Sequence, residues 1–168
     1  ATTTGFTTAD YASWPTFIPF LLLMSAFIGA CAGSTGGGIK IIRMLLLYKQ
    51  GSREIKRLIH PNAVIPIKLG RKPVGSRVID AVWGFLAAYV LIFAVLMLVC
   101  MALGEDPITA YSAVGACLNN LGPGLGDATL NYSTLSNGTK YVLSFAMLLG
   151  RLELFTLLVV LSPSFWEH

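Results

Sequence analysis

Charged residues are scarce in this chain: they make up 12% of its 168 residues, while hydrophobic residues make up 55%. A soluble domain of this size carries about 25% charged residues, so the deficit argues against one. Long apolar runs account for the difference. Residues 78–103 and 139–161 each provide the roughly 20 apolar residues that cross a bilayer. Residues 16–47 form a third, interrupted run, so the sequence predicts an integral membrane protein with three crossings.

Cysteine and histidine are also rare, with three and two copies, and they show no metal-site spacing. Cys31, Cys100 and Cys117 all lie in apolar stretches, which predicts buried structural thiols. The sequence shows no nucleophile–base pair. We therefore expect neither an enzyme nor a bound cofactor.

The positive charge is concentrated in one segment. Ten of the twelve lysines and arginines lie within residues 40–77, where Glu54 is the only acid. The net charge of +4 therefore does not indicate a nucleic-acid partner, because a basic loop is typical of the cytoplasmic side of a membrane protein. This orientation also predicts a cytoplasmic C-terminus. Within the loop, two short runs around Leu69-Gly70-Arg71 predict a small β-hairpin.

Residues 107–118 predict a helix that is too short to span the membrane. Glu105 and Asp106 precede Pro107, a favourable helix start, and twelve residues extend only about 18 Å. The Gly- and Pro-containing residues 119–126, here called the return segment, cannot continue the helix. The pattern predicts a re-entrant loop. Irregular backbone at membrane depth persists only where it is buried in protein or lines a water-filled space, so we expect a polar solute to pass here.

An internal repeat supports a second such loop. At a constant offset of 117 residues, Gly5 matches Gly122, Asp10 matches Asp127 and Gly33 matches Gly150. The chain is therefore predicted to begin inside one re-entrant loop and to contain a second. A dehydrated cation needs several carbonyl oxygens, and glycine permits the backbone angles that aim them at one axis. The matching tripeptides are Thr3-Thr4-Gly5 and Asn120-Leu121-Gly122.

The first membrane segment contains a run of small residues, here called the Gly-rich break. An unbroken helix over residues 16–47 would measure about 48 Å, well above the roughly 30 Å hydrocarbon core. We predict a mobile intramembrane loop there; packing tolerance and a phosphate-binding loop are the alternatives. The phosphate loop is disfavoured because an apolar span precedes the glycines. The break consists of Gly33, Ser34, Thr35, Gly36, Gly37 and Gly38.

Arg151 is a charge within an apolar run, twelve residues after Thr139 and therefore near the bilayer midplane. Such charges are costly and usually functional. The repeat places Arg151 at the depth of Ser34. We expect Arg151 to bind carbonyl groups of the Gly-rich break and to oppose the passage of cations; the alternative is an ion pair buried between helices. Glu153 points to a different helix face and is expected to pair elsewhere, with Lys40 as one candidate.

Five motifs together resemble the C-terminal half of the Trk-type potassium uptake proteins, relatives of the Ktr and plant HKT transporters. The resemblance covers essentially the whole chain. The motifs are Thr-Thr-Thr-Gly-Phe at 2–6, Gly-Ser-Thr-Gly-Gly-Gly-Ile-Lys at 33–40, His-Pro-Asn-Ala-Val at 60–64, Asn-Asn-Leu-Gly-Pro-Gly at 119–124 and Gly-Arg-Leu-Glu at 150–153.

The resemblance implies an all-α integral membrane fold of repeated helix–pore loop–helix units of the potassium-channel type, with a small cytoplasmic β-hairpin. Gly5 and Gly122 match the third and fourth of four filter glycines; the first two units would lie in a missing N-terminal half. The implied divisions are 1–47 (third filter loop and broken inner helix), 48–77 (basic cytoplasmic loop) and 78–168, the last comprising outer helix 78–103, pore helix 107–118, filter 119–126 and inner helix 139–161.

The resemblance also implies potassium uptake across the bacterial inner membrane, gated by residues 33–38 and Arg151. It further implies a homodimer and a cytosolic nucleotide-binding regulatory ring. Asn120 and Leu121 stand where tetrameric potassium channels have Thr and Val, so the filter is less uniform. The alternatives are a carrier with a midplane site for another cation or solute, a cation-coupled potassium symporter and a non-conducting assembly subunit. Inverted repeats would favour a carrier, and none is evident in the sequence.

Overall fold

A computed structural model describes residues 14–15, 17–29, 37–63, 65–70, 72–129, 131–152 and 154–166. Most of these residues are helical, as predicted. The helices are α1 (Phe17–Phe27), α2 (Ile41–Ile59), α3 (Ser76–Ala102), α4 (Pro107–Leu118), α5 (Asn137–Arg151), α6 (Leu154–Leu161) and α7 (Pro163–Trp166), with a 3₁₀ helix at Gly126–Ala128. The strands are β1 (Ile28–Gly29), β2 (Ile39–Lys40), β3 (Lys68–Leu69) and β4 (Lys72–Pro73).

A parallel pair of short strands interrupts the first membrane segment. Helix α1 ends at Phe27, and β1 follows it directly. Ile28 pairs with Ile39 and Gly29 pairs with Lys40. This pairing brings the end of α1 next to the start of α2, so the two helices form one membrane segment that is interrupted at the strands. The predicted interruption is confirmed.

Helix α2 is longer than predicted. The expected inner helix ended at residue 47 and a basic loop was expected over residues 48–77, whereas α2 continues to Ile59. Side chains one turn apart stabilise the polar half: Gln50 Nε2 donates to Glu54 Oε1 at 2.8 Å, and Arg57 lies 3.4 Å from the same carboxylate. Such pairs between side chains one turn apart add a few tenths of a kcal/mol each to the stability of a helix.

The predicted β-hairpin is present in the basic segment. Lys68 pairs with Pro73 and Leu69 pairs with Lys72, with Gly70 at the turn at φ +62°. Arg71 lies outside the described residues. The hairpin packs against α2 and α3 through a small apolar cluster of Leu46, Leu47, Ile67, Leu69, Val74, Ile79 and Val82.

Helix α3 is the one helix of the described ranges that has the length and apolar composition to cross a membrane. Its 27 residues extend about 40 Å. Many of its side chains, including Leu91 and Leu98, are exposed on this chain. The predicted outer helix, 78–103, agrees with α3 to within two residues.

Helix α4 is buried at the centre of the chain, and its bounds are those predicted for the pore helix. Asp106 caps its first turn, where Oδ2 accepts from the Ile108 amide at 3.1 Å, and Pro107 is its first residue. Helices α1, α3 and α5 all pack against it. A twelve-residue helix that is enclosed by α1, α3 and α5 agrees with the predicted re-entrant loop.

The predicted inner helix 139–161 is divided in the structure. Helix α5 begins at Asn137 and ends at Arg151, Leu152 adopts the C-cap position, and α6 begins at Leu154. Glu153, and with it the expected pairing to Lys40, lies outside the described residues. No proline marks the division in the sequence, and the apolar run continues across it. The sequence therefore predicted a single helix.

Glu105 connects the turn after α3 to the start of α5. Its Oε1 accepts from the Ser136 amide at 3.1 Å and from Thr139 Oγ1 at 2.9 Å. Ser136 is itself the N-cap of α5 and accepts from the Thr139 amide. The carboxylate also lies at the positive end of the helix dipole, which adds to the stabilisation.

We expect Glu105→Ala to destabilise the full-length protein by about 1–2 kcal/mol, because two hydrogen bonds to a charged acceptor are lost. Glu105→Gln, which retains an acceptor oxygen, should lose less. Thermal unfolding in detergent measures both. An unchanged midpoint for Glu105→Ala would show that this contact contributes nothing to the stability of the fold.

Candidate functional site

The return segment begins where α4 ends and leaves the helix abruptly. Asn120 has a φ of +53° and Gly122 a φ of +98°, so both adopt backbone angles that helices do not use. The Asn120 amide donates to the Cys117 carbonyl at 3.1 Å and the Leu121 amide to the Ala116 carbonyl at 2.8 Å. These bonds cap the helix. The chain then runs without regular structure from Leu121 to Leu125.

The side of α4 holds the return segment in place. Ser112 Oγ accepts from the Leu125 amide at 2.9 Å and lies 3.0 Å from the Leu125 carbonyl. Thr109, one helical turn earlier, accepts from the Asp127 amide at 3.4 Å. The Tyr132 hydroxyl donates to the Gly122 carbonyl from the following loop. The segment is therefore fixed by hydrogen bonds at both ends.

The electrostatics at the end of α4 favour a cation. Helix dipoles place partial negative charge at the C-terminus, and α4 ends where the return segment begins. Arg151, the basic residue of the predicted site, is the last residue of α5 and does not belong to the return segment.

The described end of the Gly-rich break lies directly against the end of α4. A Cβ atom at Gly37 would lie 2.6 Å from the Asn119 carbonyl oxygen and 2.9 Å from Asn120 Nδ2. A Cβ atom at Gly38, whose φ is +80°, would lie 2.6 Å from Asn119 Oδ1. No side chain fits at either position. Backbone therefore contacts backbone between the break and the return segment.

Gly150 lets α5 approach the end of α4. A Cβ atom there would lie 2.1 Å from the Leu118 carbonyl oxygen and 2.6 Å from Asn120 Nδ2. The Asn120 side chain thus lies between Gly37 and Gly150, and its Nδ2 is buried without a hydrogen-bond partner. Arg151 follows as the last residue of α5, with its side chain exposed on this chain.

The structure therefore brings Gly37, Gly38 and Gly150 to the end of α4 beside Asn120, with Arg151 next to Gly150. Leu121 and Gly122 follow Asn120 in the return segment. The other predicted residues lie outside the described part of the chain; they are Thr3, Thr4, Gly5, Gly33, Ser34, Thr35 and Gly36.

Sequence reasoning missed the residues that position the return segment: Thr109, Ser112, Tyr132 and Tyr89. Thr109 and Ser112 carried a signal, since two hydroxyl residues three apart share one face of an otherwise apolar helix. Tyr89 and Tyr132 carried none, because their partners are 30 and 10 residues away.

A family model described as "TrkH: Cation transport protein" matches residues 1–168. The chain belongs to the TrkH family of cation transport proteins.

Individual members of the family agree with this assignment. The Trk system potassium uptake protein TrkH of Escherichia coli strain K12 is 58% identical over 168 residues, which are 100% of this chain and 35% of that protein. TrkG of the same strain is 42% identical over 166 residues, 99% of this chain and 34% of that protein. The crystal structure of the potassium transporter TrkH from Vibrio parahaemolyticus matches with a TM-score of 0.91 at 58% identity, covering 99% of this chain and 36% of that one.

These similarities confirm the predicted fold class, a helical membrane transporter fold with only small sheets. They also confirm the resemblance on which the sequence analysis relied. The chain spans about a third of the length of the curated relatives that it matches.

The contact at Gly150 generates a direct test of the site. We expect Gly150→Ala to destabilise the full-length TrkH-family protein by about 1–3 kcal/mol, because the new methyl group meets the α4 backbone, which cannot rotate away. Gly84→Ala in α3 is the matched control: its nearest neighbour would be the Phe155 ring at 3.8 Å. Thermal unfolding should separate the two variants, and equal midpoints would contradict the close approach of α5 to α4.

Proposed function

We propose that this chain is part of a potassium uptake protein, in which the return segment supplies carbonyl oxygens to a selectivity filter. The observation that carries the proposal is the backbone of residues 119–122. It leaves the C-terminus of a buried, twelve-residue helix and turns through a glycine at φ +98°. Backbone carbonyl groups of such a segment can replace the water around a dehydrated cation.

The filter assignment includes both tripeptides of the repeat. Asn120, Leu121 and Gly122 supply the fourth unit, and Thr3, Thr4 and Gly5 supply the third. The names of the relatives support potassium as the transported ion, since each describes a potassium uptake protein. The first and second units would come from the remainder of a longer protein.

The Gly-rich break and Arg151 form the proposed gate. Gly37 and Gly38 lie directly on Asn119, so the end of the break reaches the inner end of the filter. Arg151 follows Gly150, which contacts Leu118 from the other side. A guanidinium group near a cation path raises an electrostatic barrier until the break moves.

The remaining proposals concern the cellular context. The protein would lie in the bacterial inner membrane with its C-terminus in the cytoplasm. The polar half of α2 and the β-hairpin carry most of the positive charge, which favours the cytoplasmic side for this surface. A homodimer and a cytosolic nucleotide-binding ring are the expected partners.

A carrier with a midplane site, a cation-coupled potassium symporter and an assembly subunit are the alternatives. Rubidium uptake by the full-length protein in liposomes distinguishes them. Passive Rb⁺ uptake that K⁺ inhibits supports the pore. Uptake that requires a second ion gradient supports the symporter, and transport of another solute supports the carrier. No uptake at all supports the assembly subunit.

Gly122 and Gly104 provide a matched pair for testing the filter. Both have a φ of +98°, and a Cβ atom at either would meet nothing within 4 Å. Alanine at either position should therefore cost a similar amount, about 1–2 kcal/mol, because the left-handed backbone is strained. Only Gly122→Ala should change Rb⁺ uptake and its inhibition by Na⁺, since Gly104 lies in the turn between α3 and α4. The same transport profile for both variants would contradict the filter assignment.

We expect Arg151→Ala to raise Rb⁺ uptake or to uncouple it from regulation. The increase should be roughly tenfold if the guanidinium contributes about 1.4 kcal/mol to the barrier for a passing cation. Arg151→Lys retains the charge and should stay close to the wild type. Unchanged uptake and regulation in a folded Arg151→Ala variant would rule out the gating role.

A further inference from the structure

A basic pocket lies beside the polar half of α2. Its volume is about 260 Å³. Helix α2 supplies one wall, and residues 65–68, which lead into the β-hairpin, supply the other. None of the lining residues belongs to the proposed filter or gate. They are Tyr48, Lys49, Ser52, Arg53, Lys56, Ile65, Pro66, Ile67 and Lys68.

Four of the lining residues are basic and none is acidic. Lys49, Arg53 and Lys56 are spaced four and three residues apart, so they lie on one face of α2. Lys68 belongs to the opposite wall. Like charges one turn apart on a helix repel each other. A negatively charged occupant of the pocket would relieve this repulsion.

The chain itself neutralises only part of this charge. Glu54 is the only acid within residues 40–77, and its carboxylate lies 3.3 Å from Arg53 Nη2. Lys49 Nζ donates to the Lys68 carbonyl at 2.7 Å, which joins the two walls. The ammonium groups of Lys56 and Lys68 are exposed and contact no acid among the described residues. A phosphate group suits such a pocket, since its oxygens accept from arginine and lysine together.

The pocket lies where two membrane helices leave their apolar region. Ile67, in the pocket wall, is buried in one cluster with Leu46 of α2. The same cluster includes Ile79 and Val82, in the first two turns of α3. Trp83 follows there and is 46% exposed on this chain, which is typical of a tryptophan at the bilayer interface. These contacts place the pocket at the level of the lipid headgroups.

An exposed apolar stripe on α2 leads into the pocket from the membrane side. Ile41, Leu45 and Tyr48 are spaced four and three residues apart and share one helix face. All three are exposed on this chain. Tyr48 and, one turn further, Ser52 belong to the pocket lining. A phospholipid matches this layout, because its acyl chain covers the stripe while its phosphate reaches the basic residues. A free phosphate ion would use only the pocket.

We propose that the pocket binds the headgroup of an anionic phospholipid in the cytoplasmic leaflet. Arg53, Lys56 and Lys68 contact the phosphate, and the stripe over residues 41–48 contacts an acyl chain. The inference rests on the proposed orientation, which puts the basic surface on the cytoplasmic side. It does not depend on the proposed filter or gate.

Native mass spectrometry of the full-length protein in detergent counts bound lipids directly. We expect phosphatidylglycerol to bind at least about tenfold more tightly than phosphatidylcholine, whose headgroup has no net charge. Lys56→Gln should weaken phosphatidylglycerol binding about fivefold, the usual contribution of one basic residue near an anionic lipid. Arg53→Gln should weaken it at least as much, because arginine can donate two parallel hydrogen bonds to phosphate.

Lys72→Gln is the matched control. Lys72 lies on β4 in the same basic segment, is exposed and does not line the pocket. Its replacement removes the same charge and should leave phosphatidylglycerol binding unchanged. An equal loss in Lys72→Gln and Lys56→Gln would overturn the proposal, because it would indicate attraction to the whole basic segment rather than to a site.

Three further results would overturn the proposal. The first is phosphatidylglycerol binding that neither Lys56→Gln nor Arg53→Gln weakens, and the second is equal binding of phosphatidylcholine. The third is a wild type that binds no phosphatidylglycerol, which would leave an acidic protein surface as the occupant. If Arg53→Gln does not fold, Lys56→Gln decides, because the Lys56 side chain is exposed.

Glycerol phosphate, a soluble counterpart of the headgroup, distinguishes the two sources of phosphate. It should not displace phosphatidylglycerol at equal concentration, because it lacks the acyl chains that cover the apolar stripe. Displacement at equal concentration would assign the pocket to a phosphate compound in solution and reject the lipid.

The outcomes also separate this inference from the proposed function, since counting lipids requires no transport. A protein that binds phosphatidylglycerol at the pocket but takes up no Rb⁺ would reject the proposed function alone. Rb⁺ uptake by a wild type whose lipid binding is insensitive to Lys56→Gln and Arg53→Gln would reject the lipid site alone.

Discussion

The site depends on one constraint: three glycines let peptide groups from separate segments meet at the end of α4. Gly37 and Gly38 approach Asn119, and Gly150 approaches the Leu118 carbonyl so closely that no methyl group fits. Side chains at these positions would separate the segments. The Gly-rich break and the inner helix could then not reach the return segment together, and a movement of either one would not affect the other.

Hydrogen bonds within the chain explain how irregular backbone is tolerated inside a membrane protein. Peptide groups in hydrocarbon must find internal partners. Here Ser112 and Tyr132 provide some of them, and the capping bonds at the end of α4 provide others. A return segment that is fixed in this way keeps its remaining carbonyl groups in one arrangement. Fixed dipoles of this kind can coordinate a cation without first reorganising, which is the physical basis of the proposed filter.

The sequence predicted the parts of the fold that have local signals. The Asp106-Pro107 start and the following glycines bounded α4 correctly, and the short runs around Gly70 predicted the hairpin. The extension of α2 to Ile59 was missed because the positive charge suggested a loop, although lysine, arginine and glutamate are good helix formers. The division after Arg151 and the bond between Tyr89 and Asn119 were not predictable, since contacts between distant segments leave no periodic pattern.

The most direct measurement is a crystal structure of the full-length protein grown with Rb⁺, using anomalous scattering to locate the ion. The account predicts an anomalous peak within coordination distance of the Leu121 and Gly122 carbonyl oxygens, on an axis shared with the Thr4-Gly5 backbone, with Gly122 accepting from Tyr132 and coordinating the ion through the same oxygen. An anomalous peak away from both carbonyl oxygens would contradict it.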